Sequence, residues 1–318
     1  MKRNLRIVFM GTPDFAVPSL DILLKNNYNI VGIITATDKL AGRGNKLTES
    51  AVKKYAVENN LSILQPEKLK NLAFIDELKA LEANLFIVVA FRMLPEIVWQ
   101  MPEFGTFNLH ASLLPQYRGA APINWAVMNG ETETGATTFF LQHEIDTGNI
   151  ILQDKIKINE DDNVGNVHDK LMTIGAELVL KTVQAIEENK VEQKSQISNL
   201  TSQIQLKHAP KIFKETCLID WNKTAKEIYN FIRGLSPYPT AYTYLDDKVL
   251  KIFASQISQS NYSLDVNHQL STINYKTDNK TYLSFKCADT YLDILELQLE
   301  GKKRMKIDEF LRGYKFQI

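Results

Sequence analysis

Two polar side chains alternate with apolar residues on one short segment, directly before a loop. Asn108 and His110 alternate with Phe107 and Leu109, so on a β-strand the carboxamide and the imidazole share one face while the apolar pair packs behind them. A carboxamide N–H can donate to an oxyanion, and a protonated imidazole can add a charge-assisted donor. The segment therefore predicts a strand whose polar face can stabilise negative charge on a carbonyl oxygen.

A second polar segment could bring a carboxylate to the same place. Residues 112–119 contain a proline and a glycine without alternation, which is typical of a loop that leaves a strand end. Residues 143–148 follow an apolar run and include Asp146, so they also indicate a loop at a strand end. Open parallel sheets bind their ligands at such ends. We therefore expect Asn108, His110 and Asp146 to converge, with the carboxylate accepting a proton directly or through water.

The elements that would position these groups are apolar strands alternating with helices. Leu85 to Val89 is continuously apolar, as in a strand buried on both faces, and residues 164–188 show a helical apolar pattern interrupted only by Thr182. The expected fold class is α/β, with a Rossmann-like, mostly parallel sheet in an amino-terminal domain of residues 1–190.

A second domain is expected after a polar stretch. Residues 191–206, rich in Gln, Lys, Ser and Asn, predict a linker, and residues 207–318 form the carboxyl-terminal domain. Short apolar and β-branched runs separated by polar turns predict a small barrel or sandwich there. These runs are Ala241 to Leu245, Val249 to Ile257, Ser271 to Tyr275, Thr281 to Cys287 and Leu292 to Leu299.

Composition limits the classes of function. The chain has 318 residues and a formal net charge of zero, so any binding to a polyanion depends on local charge. Its apolar runs are far shorter than a bilayer span, and the amino terminus leads directly into a strand, which predicts a cytoplasmic protein without a membrane segment. Cys217 and Cys287 predict reduced thiols, and no metal-type spacing occurs. Gly11-Thr12-Pro13 lacks the further glycines of a dinucleotide loop.

The motif that runs from Asn108 to Pro122, together with Asp-Thr-Gly at 146–148, resembles the signature of the folate-dependent formyltransferases. The resemblance extends to residues 11–16, 41–47, 88–91 and 299–305, and so to both ends of the chain. It implies that Asn108, His110 and Asp146 are the catalytic residues and that 10-formyltetrahydrofolate is the co-substrate, with no metal. The same resemblance implies these folate-binding residues: Ser112, Leu113, Leu114, Pro115, Val89, Phe91, Met93, Leu94 and Ile145.

The sequence departs from the family at Arg92 and Met93, where small turn residues are common. The resemblance implies that the formyl group passes to the amino group of methionine carried on initiator tRNA. It also implies an oligonucleotide-binding (OB) type of barrel at the carboxyl end. Two local excesses of positive charge would contact the tRNA, and we expect the enzyme to be a monomer. The expected tRNA-binding residues are Lys39, Arg43, Lys46, Lys302, Lys303, Arg304 and Lys306.

Three alternatives stay open from the sequence. A glycinamide ribonucleotide formyltransferase would share the same Asn, His and Asp, but it generally occupies a single domain. A sugar-nucleotide formyltransferase is a weaker alternative. From a different class, the chain could be a non-catalytic RNA-binding protein on this scaffold, although retention of all three polar residues speaks against it.

Overall fold

The computed structural model describes residues 2–41, 46–196, 205–259, 268–270 and 273–316. Arg43 and residues 197–204 of the expected linker therefore lie outside the described residues. The chain folds into two units, each assembled from more than one stretch of sequence. The first unit comprises Met1–Gly119, Thr134–Ile156 and His168–His208, and the second comprises Ala120–Glu133, Lys157–Val167 and Ala209–Ile318.

A seven-stranded sheet forms the centre of the first unit. In chain order the strands of the amino-terminal part are β1 (Arg6–Gly11), β2 (Asn29–Ile34), β3 (Lys39–Ala41), β4 (Lys46–Thr48), β5 (Ile63–Leu64), β6 (Leu85–Val89), β7 (Thr106–His110), β8 (Arg118–Gly119), β9 (Glu133–Phe140) and β10 (Ile150–Lys157). The sheet order is β10-β9-β7-β6-β1-β2-β5. The pairs β1–β2, β1–β6, β2–β5 and β6–β7 are parallel, and β7–β9 is antiparallel. The expected mostly parallel, Rossmann-like sheet is confirmed.

Helices alternate with these strands. They are α1 (Val17–Lys25), α2 (Ala51–Glu58), α3 (Leu72–Ala80), α4 (Glu96–Trp99), α5 (Pro122–Met128) and α6 (Val164–Glu187). Thr182, the exception in the apolar pattern of α6, is fully buried. Its hydroxyl is satisfied there, because it hydrogen-bonds to the Thr138 hydroxyl at 2.8 Å and donates to the Leu178 carbonyl. In the described part of the chain, no helix is both long and apolar enough to cross a bilayer.

A short hairpin follows β2. β3 and β4 pair antiparallel, with Lys39 opposite Thr48. Lys53 joins the two ends of this hairpin: its ammonium lies 2.5 Å from Asp38, just before β3, and 2.9 Å from Glu49, just after β4. The hydrogen bond from Lys53 lowers the pKa of Asp38. An ion pair therefore anchors the base of the segment that carries Arg43.

The second unit contains a curled antiparallel sheet. The carboxyl-terminal strands are β11 (His208–Ala209), β12 (Ala241–Leu245), β13 (Lys248–Ile257), β14 (His268–Leu270), β15 (Ile273–Thr277), β16 (Leu283–Lys286), β17 (Tyr291–Leu299) and β18 (Met305–Lys306), and the helices are α7 (Ala225–Leu235) and α8 (Ile307–Gly313). The sheet order is β12-β13-β17-β16-β15-β14, with β18 beside β17. Its core includes Cys287, whose pKa burial raises to about 12. The expected small barrel-like domain is confirmed.

Two stretches from the amino-terminal part complete this second unit. α5 packs on α7 so closely that a Cβ at Gly234 would lie 2.8 Å from the Met128 nitrogen, and the Asn124 side chain donates to the Gly234 carbonyl. The buried Arg233 guanidinium donates to the Asp162 carbonyl at 2.9 Å. Burial lowers the pKa of Arg233. These contacts make residues 120–133 and 157–167 structural parts of the carboxyl-terminal unit.

Candidate active site

β7 carries two of the three residues expected to do chemistry. Asn108 lies between Val88 of β6 and Phe139 of β9, is half-buried, and shares its face of the strand with His110. Among the residues that the structure describes, the Asn108 carboxamide has no hydrogen-bond partner. Its N–H donors are therefore available to a substrate.

His110 and Asp146 come together, as the sequence predicts. Nδ1 of His110 lies 4.0 Å from Oδ2 of Asp146. Nε2 of the same ring lies 2.9 Å from the Tyr117 carbonyl oxygen, and because a carbonyl only accepts, Nε2 carries a proton and donates it. Oδ2 of Asp146 also accepts from the Gly119 N–H at 2.9 Å. Both side chains are thus held by the backbone of the loop that follows β7.

The separation between His110 and Asp146 has a chemical consequence. At 4.0 Å the two groups attract each other by charge when the imidazole is protonated, but they lie beyond the 2.7–3.2 Å of a hydrogen bond. A proton on Nδ1 of His110 is therefore free to be donated to a third group. The pair can stabilise a positive charge and still present a donor to a bound oxygen.

The loop after β7 is fixed by a buried hydroxyl. Thr137, opposite His110 on β9, is fully buried. Its Oγ1 donates to the Ser112 carbonyl at 2.6 Å and accepts from the Leu114 N–H at 3.1 Å. The Gln153 amide donates to the same hydroxyl and to the Leu114 carbonyl, both at 2.9 Å. The start of this loop consequently has its backbone groups satisfied from two neighbouring strands.

The loop that carries Asp146 is held by a glutamine. Gln196 is 2% exposed, and its Nε2 donates to the carbonyls of Asp146 at 2.9 Å and Gly148 at 2.8 Å. Its Oε1 accepts from Nε and Nη2 of Arg118, at 3.1 and 2.5 Å. A four-bond bridge thus connects the end of one active-site loop to the backbone of the other.

The expected folate residues line the carboxyl ends of these strands to different degrees. Val89 ends β6 and is buried. Leu94 is also buried, and the half-buried Phe91 packs against the hydrophobic core cluster that contains Leu94. Met93 and Ile145, by contrast, are 76% and 65% exposed. In the loop after β7, Ser112 and Leu114 are buried, whereas Leu113 and Pro115 are half-buried.

Arg92, where the sequence departs from the family, is tied to a neighbouring segment. Its guanidinium donates to the carbonyls of Pro66 and Glu67 and lies 5.6 Å from the centre of the Phe91 ring. Burial lowers the pKa of Arg92. The arginine is accommodated by these backbone acceptors, while its neighbour Met93 stays exposed.

The expected tRNA contacts differ in how free they are. Lys302, Lys303 and Lys306 are exposed, as is Lys39. Arg304 makes a two-pronged ion pair with Glu296, at 2.7 and 2.6 Å, and its guanidinium lies 4.2 Å from the centre of the Phe253 ring. The hydrogen bond to Glu296 raises the pKa of Arg304. Lys46 lies on β4, but its side chain, like all of Arg43, lies outside the described residues.

Sequence patterns do not identify four residues whose side chains hold the loops of the site: Thr137, Gln153, Arg118 and Gln196. Thr137 and Gln153 lie within apolar or alternating strand runs, and their partners are distant in sequence. Arg118 belongs to the signature motif, which was a usable signal. Gln196 falls in the polar stretch interpreted as a linker, and no local pattern distinguishes it from its neighbours.

Two family profiles and several named proteins match most of this chain. The family profile described as "Formyl transferase" matches residues 5–183, and the one described as "Formyl transferase, C-terminal domain" matches residues 211–315. The methionyl-tRNA formyltransferase of Bacteroides thetaiotaomicron is 56% identical over 99% of this chain and 97% of its own length. The methionyl-tRNA formyltransferase of Flavobacterium johnsoniae is 51% identical over 98% of this chain and 97% of its own length.

A solved structure supports the fold. WlaRD, a sugar 3N-formyl transferase crystallised in the presence of dTDP and 5-N-formyl-THF, gives a TM-score of 0.64 at 22% identity. The similarity covers 95% of this chain and 100% of that one. At this level of identity the likeness concerns the architecture of the chain.

Proposed function

This chain belongs to the formyl transferase family, and from that membership we propose that it transfers the formyl group of 10-formyltetrahydrofolate to the amino group of methionyl-initiator tRNA. One observation supports the chemistry most directly. His110 lies on β7 together with Asn108, and its Nδ1 is 4.0 Å from Oδ2 of Asp146. The choice of acceptor is supported by relatives named methionyl-tRNA formyltransferase that match nearly the whole chain at 51–56% identity.

The reaction forms one bond and breaks another. The neutral amine of methionine attacks the formyl carbon, a tetrahedral oxyanion forms, and the bond from that carbon to the folate nitrogen then breaks. The proton lost by the amine must reach the folate nitrogen as it leaves. An α-amino group titrates at about 7.7 to 8.0, so the site has only a modest deprotonation to assist.

Each of the three side chains has a role that its environment supports. Asn108 and a protonated Nδ1 of His110 donate to the oxyanion, because both lie on one face of β7 and have donors to offer. Asp146 stabilises the imidazolium by charge and accepts the proton of the amine, directly or through water. In this scheme the proton on Nε2 of His110 stays in its hydrogen bond to the Tyr117 carbonyl and takes no part in the transfer.

The folate part of the proposal rests on apolar surface beside polar backbone. Met93 and Ile145 expose large apolar side chains in the loops that follow β6 and β9, and ligand pockets are lined mainly by apolar side chains. Ser112 to Pro115 form a loop, and the Thr137 hydroxyl holds its backbone through the Ser112 carbonyl and the Leu114 N–H. A planar ring could contact the apolar side chains and the backbone of this loop together.

Loss of the Thr137 hydroxyl should weaken folate binding. Thr137→Val removes one donor and one acceptor and leaves the Leu114 N–H unsatisfied, a change that costs about 1–3 kcal/mol. We expect the KM for 10-formyltetrahydrofolate to rise about tenfold, while the KM for tRNA stays within about twofold. Steady-state kinetics with each substrate varied would measure this. Thr138→Val is the matched control, since it removes a buried hydroxyl that bonds to Thr182 rather than to the loop.

The exposed lysines of the carboxyl-terminal unit should give tRNA binding part of its salt dependence. The double variant Lys302→Ala, Lys303→Ala should reduce the slope of log Kd against log salt by roughly 0.7 to 0.9 for each lysine that contacts a phosphate. Filter binding of methionyl-tRNA across a salt series would show it. Lys68→Ala, Lys70→Ala removes the same two charges from exposed positions in the first unit. An identical slope in both double variants would argue against the assignment.

The function itself is tested by supplying the purified protein with 10-formyltetrahydrofolate and three acceptors. Formylation of methionyl-initiator tRNA, with little reaction of glycinamide ribonucleotide or an amino sugar nucleotide, is the expected result. Preferred formylation of either small acceptor would overturn the proposal in favour of that alternative. Binding of tRNA without formyl transfer to any acceptor would instead indicate a non-catalytic RNA-binding protein.

A further inference from the structure

Gln196 joins the two loops that form the candidate site. Its side chain is 2% exposed, and both of its amide hydrogens and both acceptor directions of its oxygen are used. Full satisfaction of a buried carboxamide in this way fixes its orientation. The two carbonyls it binds, those of Asp146 and Gly148, flank the turn that presents the Asp146 carboxylate.

Arg118 determines which way this carboxamide points. A guanidinium has only donors, so its two bonds to Oε1 require the oxygen of Gln196 to face Arg118. The NH₂ group must then face the carbonyls of the Asp146 loop. A reversed carboxamide would set its oxygen against two carbonyl oxygens and its hydrogens against the guanidinium, which costs all four bonds.

The backbone conformation of the Asp146 loop explains why the loop requires such a support. Asp146 has a φ of +56°, a left-handed conformation that few non-glycine residues adopt, and at Gly148 an added Cβ would lie 1.7 Å from the Phe140 carbonyl oxygen. The carboxylate reaches His110 across only 4.0 Å. A shift of the turn by about 1 Å would therefore change the distance on which the pair depends, and misplacement of that size can cost about a hundredfold in rate.

We infer that Gln196, oriented by Arg118, is a positioning residue for formyl transfer: it holds the Asp146 turn so that the carboxylate faces Nδ1 of His110. This inference rests on the proposed function. It assigns to a residue of the expected linker a role in kcat rather than in binding of either substrate. Gln196 itself does not touch the reacting atoms.

An isosteric substitution provides the sharpest test. Gln196→Glu keeps the size of the side chain and strengthens its pairing with Arg118, but it removes both donors to the loop and faces two carbonyls with a negative charge. We expect kcat for formylation of methionyl-tRNA to fall by about tenfold to a hundredfold, with each KM within about threefold of wild type. Gln193→Glu is the matched control, because it adds the same charge three residues away on an exposed side chain that accepts from Asn149 and, within the described ranges, has no bond to the Asp146 loop.

A double-variant cycle separates positioning from a general loss of structure. If Gln196 acts through Asp146, then adding Gln196→Glu to Asp146→Asn should change kcat by less than about twofold, since there is no carboxylate left to position. Independent, multiplicative losses would overturn the inference. Equal kcat values for Gln196→Glu and Gln193→Glu would do the same. Thermal unfolding of each variant, with Gln196→Ala as a second substitution, establishes that the compared proteins are folded.

Failure of the inference and failure of the proposed function give different results. A wild-type protein that formylates none of the acceptors removes the proposed function. A wild-type protein that formylates methionyl-tRNA, together with a fully active Gln196→Glu variant, leaves that function standing and removes only the positioning role.

Discussion

Replacing His110 by alanine, or Asp146 by asparagine, is expected to lower kcat by about a hundredfold or more. Alanine lacks the imidazole that we propose as a donor to the oxyanion, and asparagine lacks the negative charge that we propose stabilises the imidazolium. The fold should be preserved in Asp146→Asn, because the new side-chain oxygen can still accept from the Gly119 N–H. Single-turnover formylation of methionyl-tRNA would measure the chemical step without product release.

The loop itself offers a control for this experiment. His143 lies three residues before Asp146, has an 83% exposed side chain, and has the carboxylate of Glu96 3.6 Å away. His143→Ala removes the same type of side chain from the same loop and should leave kcat within about twofold of wild type. Near-wild-type turnover by His110→Ala or Asp146→Asn would exclude that residue from the mechanism.

Substitution of Asn108 should lower kcat by a similar factor. Removal of a preorganised donor to an oxyanion typically costs about a hundredfold to a thousandfold in kcat, and Asn108→Ala removes the half-buried carboxamide of β7. Because the donor acts on charge that develops during attack, the KM values should change by less than about threefold. The measurement is again single-turnover kinetics at saturating folate and tRNA.

Thr106, on the same face of β7, distinguishes chemistry from strand stability. Its hydroxyl donates to the Trp99 carbonyl at 2.7 Å, away from the proposed reacting groups. Thr106→Val should lower the thermal unfolding temperature but leave kcat nearly unchanged. If Asn108→Ala behaved in the same way, with lower stability and normal kcat, its assignment as an oxyanion donor would be wrong.

The sequence predicts the strands of the fold well because burial leaves a local pattern. β6 is continuously apolar and buried throughout, and β12 spans the predicted Ala241 to Leu245. The short strands β14 and β18 were missed, since two or three residues are too few to show alternation. The strands β3 and β4, of three residues each, are too short to predict for the same reason.

The proposed catalytic groups can be found from the sequence for a reason that does not apply to the groups that hold them. Asn108 and His110 are two positions apart on one strand, so their common face follows from strand geometry alone. Gln196 acts on the backbone of a residue 50 positions earlier, and backbone acceptors leave no trace in the sequence. A lone glutamine among polar neighbours has no periodicity and no complementary charge to mark it. Long-range bonds of this kind become visible only in three dimensions.

The interleaved path of the chain limits how this protein can be taken apart. The backbone passes from one unit to the other five times, after residues 119, 133, 156, 167 and 208. A fragment that begins at Ala209 would lack α5 and would leave the buried Arg233 cation without its acceptors at Asn159 and Asp162. Residues 209–318 therefore do not form a complete structural unit by themselves. Chimaeras between relatives would have to exchange residues 120–133 and 157–167 together with residues 209–318.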